Sequence, residues 1–271
     1  MKNSIFNLRS LFILLAASLI TISCKKDEED EPIVPEDSVG VLELDFDHLF
    51  GSNSLEFGRE YTNGAGEKMT FTMFKYFVTN LQLVKEDNSI YEIPAAYRNH
   101  IIDHAKVDSR LIRIPDVPTG TYKAVRFILG VDSITNTLPV EQRTGVFDVS
   151  GAAQGMYWSW NSGYIFVKVE GNSPASPEEG GRFRFHIGGF GGYSSPTINN
   201  IKTIDLVRNG GLTFTIQKGK TRNLHIEVDL RKMFVGSEIV SVATNSTTMF
   251  NPYSVKVADN YSKMFKLDHI H

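Results

Sequence analysis

The sequence predicts an all-β fold, an antiparallel β-sandwich with long loops and a short C-terminal helix. Three observations carry this reading. Apolar and polar residues alternate with a period of two from Val39 onward, turn-forming residues separate the alternating runs, and hydrophobic spacing of helical period survives in one long stretch near the end. Many strands with no helices between them lead to stacked sheets rather than to crossover units.

Taken in order, residues 1–23 place Lys2 and Arg9 ahead of an apolar run from Leu11 to Ile22, followed by Ser23. This is a secretory signal, and its apolar run is short for a membrane span. Residues 24–38 follow as a charged, Pro-containing segment that cannot bury apolar surface, which predicts a flexible tether. Cys24 is the only cysteine of the chain, so no intrachain disulfide can form. Its place at the end of the apolar run resembles a bacterial lipoprotein signal, which implies cleavage before Cys24 and acylation there, an anchor firmer than a single chain supplies. The run from Lys26 to Glu31 is similar to the acidic export signal of Bacteroidetes lipoproteins; a plain solvated linker is the other reading.

Residues 39–271 are expected to form one β domain. The runs "VGVLELDFDHLF", "KMTFTMFKYFVTNLQLVKED", "GTYKAVRFILGV", "GYIFVKVEG", "GRFRFHIGGF", "IKTIDLV", "GLTFTIQKG" and "RNLHIEVDL" each read as strands. Turn chemistry at Asp87-Asn88, Pro118 to Gly120 and Lys218-Gly219 separates them. Segments 131–154 and 171–181 are rich in turn formers and read as long loops. Near the end, Val257, Ala258, Tyr261, Met264 and Phe265 recur at helical spacing and predict a helix packed on the sandwich.

With a hydrophobic fraction of 41% the chain can build a core without cross-links, and its net charge of −3, with no basic stripe, argues against nucleic acid as a partner. The chain carries no Gly-x-Ser-x-Gly elbow, no phosphate-cradling loop before a helix and no His-Glu-x-x-His. No enzymatic activity is therefore expected. Asp45 and Asp47 share a strand face and read as solvated.

The histidines carry more information. Alternation puts His48 on the face of Leu42, Leu44 and Phe46, where it is either a satisfied core histidine or a metal ligand. His186 falls on the polar face of "RFRFHIGG", just before a Gly-rich turn that lets a backbone or ligand approach closely. His225 shares its face with Glu227 and Asp229 and reads as solvated. His100 and His104 have the spacing of a helical chelate, but their surroundings suit several conformations. The terminal "LDHIH" places His269 and His271 on one face if extended, a copper or zinc pair at a chain terminus.

The two tryptophans, Trp158 and Trp160, lie in "GMYWSWNSGYIFVKVEG", on the same face of an extended chain. A packed core, an aromatic platform for a surface ligand and a redox role all remain open for them.

Taken together, "DFDHLFG", "GEKMTFTMFKYFVTNLQL", "PTGTYKAVRFILGVDSITN", "GMYWSWNSGYIFVKVEG", "FRFHIGG" and the ending "VADNYSKMFKLDHIH" resemble the MbnP-like copper-binding proteins, a family that includes many Bacteroidetes lipoproteins. The resemblance implies a cell-envelope β protein that binds copper, lipid-anchored to the outer membrane through Cys24. It implies copper ligands among His48, His186, His269 and His271. It also implies that Trp158 or Trp160 is oxidised to kynurenine by a di-haem partner related to cytochrome c peroxidases, as distant copper proteins of methanotrophs hold copper through two histidines and such a kynurenine. The alternative is a surface β-sandwich that binds a glycan or another small ligand on Trp158, Trp160, Tyr157 and Tyr164.

Overall fold

The alternation of the first strand sets the architecture. In the computed structural model, which describes residues 38–271 apart from 162 and 208, β1 (Val39–Phe50) turns Leu42, Leu44, Phe46, His48 and Phe50 inward, one residue in two. The predicted signal segment, Cys24 and the tether as far as residue 37 lie outside the described residues.

The strands that follow are β2 (Asn53–Ser54), β3 (Glu60–Thr62), β4 (Lys68–Lys85), β5 (Ile90–Glu92), β6 (His100–Asp103), β7 (Leu111–Pro118) and β8 (Gly120–Leu129). After the short helix α1 (Ser133–Thr137) come β9 (Tyr157–Trp158), β10 (Gly163–Asn172), β11 (Arg182–Gly188), β12 (Lys202–Val207), β13 (Phe214–Ile216) and β14 (Thr221–Asp229). The chain ends with α2 (Arg231–Phe234), β15 (Thr247–Thr248), α3 (Pro252–Tyr261) and β16 (Phe265–Ile270).

Two sheets result, as the alternation predicts. The smaller runs β16-β14-β1-β2 with β7 also on β1; the larger is built around β4, which is flanked by β10 and β8 on one side and by β3, β6 and β5 on the other. One pairing departs from the antiparallel expectation. β1 lies parallel to β14, with His48 opposite Val228, because the first strand is inserted beside a strand far along the chain. Strand β7 was not anticipated, since Pro115 and Pro118 lower its strand signal; it pairs only with β1, at the sheet edge, where a missing N–H is tolerated.

The main core fills the space between the sheets and is dense in aromatic rings, among them Phe46, Phe71, Phe74, Tyr76, Phe127 and Phe183. A smaller cluster of Phe77, Val131, Ala153, Met156, Tyr164, Phe166 and Phe190 lies apart from it. The segment predicted as a loop over 131–154 contributes Val131 and Ala153 to this cluster, so it covers β4 and β10 rather than standing free.

The predicted C-terminal helix is α3, but it ends at Tyr261: of the residues at helical spacing, Met264 follows it and Phe265 opens β16. Asn251 caps the helix by accepting a hydrogen bond from the Ser254 N–H at 3.1 Å, Pro252 occupies its first turn, and Val257, Ala258 and Tyr261 are buried. The chain then turns into β16, which pairs antiparallel with β14. Among the described residues no helix is long and apolar enough to cross a membrane.

Candidate metal centre

The imidazole at the end of the apolar face of β1 has a partner. His48 is almost completely buried, and its Nδ1 lies 2.9 Å from Nδ1 of His104. His104 follows β6, which runs antiparallel to β4 with Ile102 opposite Tyr76. The His104 N–H then donates to the Phe74 carbonyl at 2.9 Å, which fixes the residue beside the two β4 rings that flank His48. Phe57 packs on the other side of His104, with ring centroids 4.6 Å apart.

Each imidazole is also held from behind. His48 Nε2 is 2.9 Å from the Tyr76 hydroxyl, and His104 is hydrogen-bonded to the Leu55 main chain. This is the support that metal-binding histidines usually have, because engaging one ring nitrogen fixes the tautomer and aims the other. If both outer nitrogens donate, the two Nδ1 lone pairs face each other. Only a positive centre between them, a proton or a metal ion, relieves that repulsion. A separation of 2.9 Å also suits two nitrogens bound side by side to one ion through bonds of about 2 Å.

Electrostatics favour the neutral, ligating form of both rings. Burial pushes the His48 pKa well below its ordinary value of 6.5, and the nearby His104 and Arg110 push the same way. Burial and then Arg110 lower His104, against smaller opposing effects of Asp103 and Asp47. Burial also raises the Tyr76 pKa, so its hydroxyl stays protonated. Two neutral imidazoles in an aromatic surround make a donor set suited to copper or zinc and unsuited to magnesium or calcium.

The sequence reading missed His104 because its spacing from His100 was weighed as a helical chelate. The chain there is a strand end and a turn. His100 faces away, with Nε2 2.7 Å from the Tyr97 carbonyl. The strand patterns of "FKYFVTN" and "HIID" are legible in the sequence, but the pairing that brings His104 to His48 is not.

His186 lies elsewhere. It stands opposite Lys168 on the outer face of the larger sheet, its Nε2 2.7 Å from Glu170 Oε1, while its neighbours Phe185 and Ile187 point into the core that holds His48. The structure does not bring His186 and His48 together. The Gly-rich turn after His186 admits protein rather than ligand: a Cβ at Gly188 would come within 2.2 Å of the Tyr164 carbonyl and 2.8 Å of the Trp158 ring.

His269 and His271 do converge, with their Nε2 atoms 2.8 Å apart. They lie on the outer face of the smaller sheet, and His269 stacks on His225 with ring centroids 4.5 Å apart. Asp268 Oδ2 is 2.7 Å from His269 Nδ1 and 3.8 Å from His225 Nδ1. His225, read as solvated, is thus part of a second imidazole group, on the face of β1 and β14 opposite His48.

The tryptophans share a ring contact but not an environment. Their centroids are 5.2 Å apart, yet Trp158 is 5% exposed and Trp160 63%. Only Tyr157–Trp158 forms a strand, and the chain turns at Ser159, so the shared face expected from a longer strand is not formed. Trp158 packs against Phe250 and over Gly188, and its Nε1 has no hydrogen-bond partner among the described residues. The rings packed on the indole pair and those packed on His48 and His104 have no residue in common.

Comparison with known proteins adds three findings. The family model described as MbnP matches residues 39–251, a span that includes His48, His104, His186 and His225 and stops before His269 and His271. Among solved structures the chain is similar to MbnP from Methylosinus trichosporium, at 15% identity over 78% of this chain and 81% of that one, with a TM-score of 0.50; at that identity the likeness shows the fold. No curated protein matches at a significant level.

Proposed function

The chain belongs to the MbnP family, and from that premise we propose that it is a copper-binding protein of the cell envelope, not an enzyme, that captures copper or hands it on. The observation that carries the proposal is the approach of His48 Nδ1 and His104 Nδ1 to 2.9 Å, with Tyr76 and Leu55 engaging the rings from behind. Copper bound there would be held by two neutral imidazoles inside an aromatic wall, a setting that suits storage or transfer. Purified full-length protein should retain copper at one equivalent per chain attributable to this pair, measured by elemental analysis after dialysis. His104→Ala should lose that equivalent, whereas His186→Ala should keep it. Equal copper in the wild type and His104→Ala would remove the proposal.

The location rests on the sequence. Cys24 would carry the lipid anchor in the outer membrane, and Cys24→Ala should release the protein from membranes. Protein that remains membrane-bound after the change would refute the anchor.

Of the two indoles, Trp160 is the one open to a redox partner, and Trp158 lies in ring contact beneath it. Co-expression with a di-haem partner of the cytochrome c peroxidase kind should therefore yield kynurenine at Trp160, read by peptide mass spectrometry. Because no ring neighbour links the indoles to the imidazole pair, copper binding should persist when both indoles are unmodified. The glycan-binding alternative needs several open rings in one plane. Of its four rings only Trp160 is exposed, while Tyr164 is fully buried.

A further inference from the structure

We propose that His225, Asp268 and His269 form a second metal site, on the outer face of the smaller sheet, that takes a divalent transition-metal ion such as zinc or copper(II). The proposal is independent of the copper reading of His48 and His104, since the two groups share no residue.

The site is built by a strand irregularity. Strands β14 and β16 pair antiparallel with His225 opposite His269 and Ile226 opposite Leu267, so Asp268 is an extra residue between two paired positions. Such a bulge breaks the alternation of side chains. Without it, Asp268 and His269 would point to opposite faces; with it, both lie against His225. The ligand atoms of His225, Asp268 and His269 all fall within 4.8 Å of one another.

Asp268 approaches both rings. Asp268 Oδ2 sits between His269 Nδ1, at 2.7 Å, and His225 Nδ1, at 3.8 Å. The second distance is too long for a hydrogen bond. His225 Nδ1 is accordingly a buried nitrogen without a hydrogen-bond partner among the described residues. An ion in this space would satisfy it.

Groups behind the donors hold them in place. His271 Nε2 engages His269 Nε2 at 2.8 Å, which leaves Nδ1 of His269 as its ligating atom, while Asp47 Oδ2 stands 3.8 Å from His225 Nε2, beyond hydrogen-bond reach. Lys266 holds the other carboxylate oxygen of Asp268 at 3.0 Å, so Oδ2, which otherwise accepts from His269 Nδ1, is the oxygen an ion would take in place of that proton. Two imidazoles and one carboxylate on an open face match zinc, nickel or copper(II) and leave positions for water or a partner's ligand. Asp268 and His269 lie beyond the residues matched by the family model, which end at 251.

The experiment is a zinc titration of untagged full-length protein, read by calorimetry and by the rise in melting temperature that zinc produces. Wild type and His104→Ala should bind one zinc ion at this site with equal affinity. In the His104→Ala background, which removes the inner pair as a competing zinc site, His225→Ala and His269→Ala should weaken it by at least ~100-fold and abolish the thermal shift, and His271→Ala by about 10-fold, as expected for a residue that only positions a ligand. Zinc binding unchanged in His269→Ala, or binding lost in His104→Ala and kept in His225→Ala, would overturn the proposal. Loss of copper from His104→Ala with zinc retained would leave both sites standing, and copper unaffected by His104→Ala with zinc lost from His269→Ala would remove only the copper reading.

Discussion

Strands β1 and β14 carry an imidazole group on each face, and the two groups differ in nearly every physical respect. On the inner face, His48 and His104 are enclosed by Phe57, Phe74 and Tyr76, and burial holds both rings neutral. On the outer face, His269 stacks on His225 and meets His271 edge-on beside Asp268, in contact with solvent and near Lys266 and Asp47. The same residue type thus serves two purposes. The inner pair is part of the core, so a metal bound there would couple binding to folding; the outer group is a surface addition whose loss should leave the fold intact.

The largest expected difference is in stability. His48→Ala leaves a cavity between the sheets and strands the Tyr76 hydroxyl, at a cost of about 3 kcal/mol in urea unfolding. His269→Ala should fall within about 0.5 kcal/mol of wild type in the absence of metal. Similar costs for the two changes would erase the distinction between core and surface.

Next comes the support behind the inner pair. Tyr76→Phe keeps the ring and removes only the hydroxyl that meets His48 Nε2. Copper affinity at the inner pair should drop by about 10- to 100-fold, measured by competition with a chromophoric chelator, while zinc affinity at the outer group should not move.

Acid separates the two faces by pH window. The folded pKa values of His48 and His104 lie below 6.5, so as pH falls through 6.5 the unfolded chain binds protons that the folded pair refuses. The contribution is complete above about pH 6.5 and is lost as pH falls from there toward the depressed folded values. Asp268 behaves differently: hydrogen bonds from His269 and then Lys266 hold its pKa at about 2, so its contribution is present above its ordinary 3.8 and lost as pH falls toward 2. Because Asp268 is only half-buried and reached by solvent, that second contribution should be small. Melting temperatures from pH 8 to pH 3 should decline first below pH 6.5, and His104→Ala should reduce that early decline.

The smallest effect is expected from Asp268→Asn without metal. The change removes a half-buried carboxylate paired with Lys266 and should alter stability by about 0.5 kcal/mol or less. A larger loss would mean that the bulge, and not only its metal site, depends on the carboxylate.

How far the sequence alone led can be judged from particular residues. The alternation of "VLELDFDHLF" was enough to turn His48 inward, because side-chain direction in a strand follows from position alone. The helical spacing of Val257, Ala258 and Tyr261 was likewise enough to place α3, because it too is a local signal. Whatever depends on pairing between distant segments was out of reach. His104 becomes a partner of His48 only through the register of β6 on β4, and His225 meets His269 only because β16 returns to β14 with a bulge at Asp268. Trp158 and Trp160 looked equivalent in the sequence; a turn at Ser159 and the bare backbone of Gly188 put one indole inside and left the other in water. Local periodicity fixes which way a side chain points, since it is a property of neighbouring dihedrals. Which side chains meet is decided by strand order and register, which arise from burying the whole core at once.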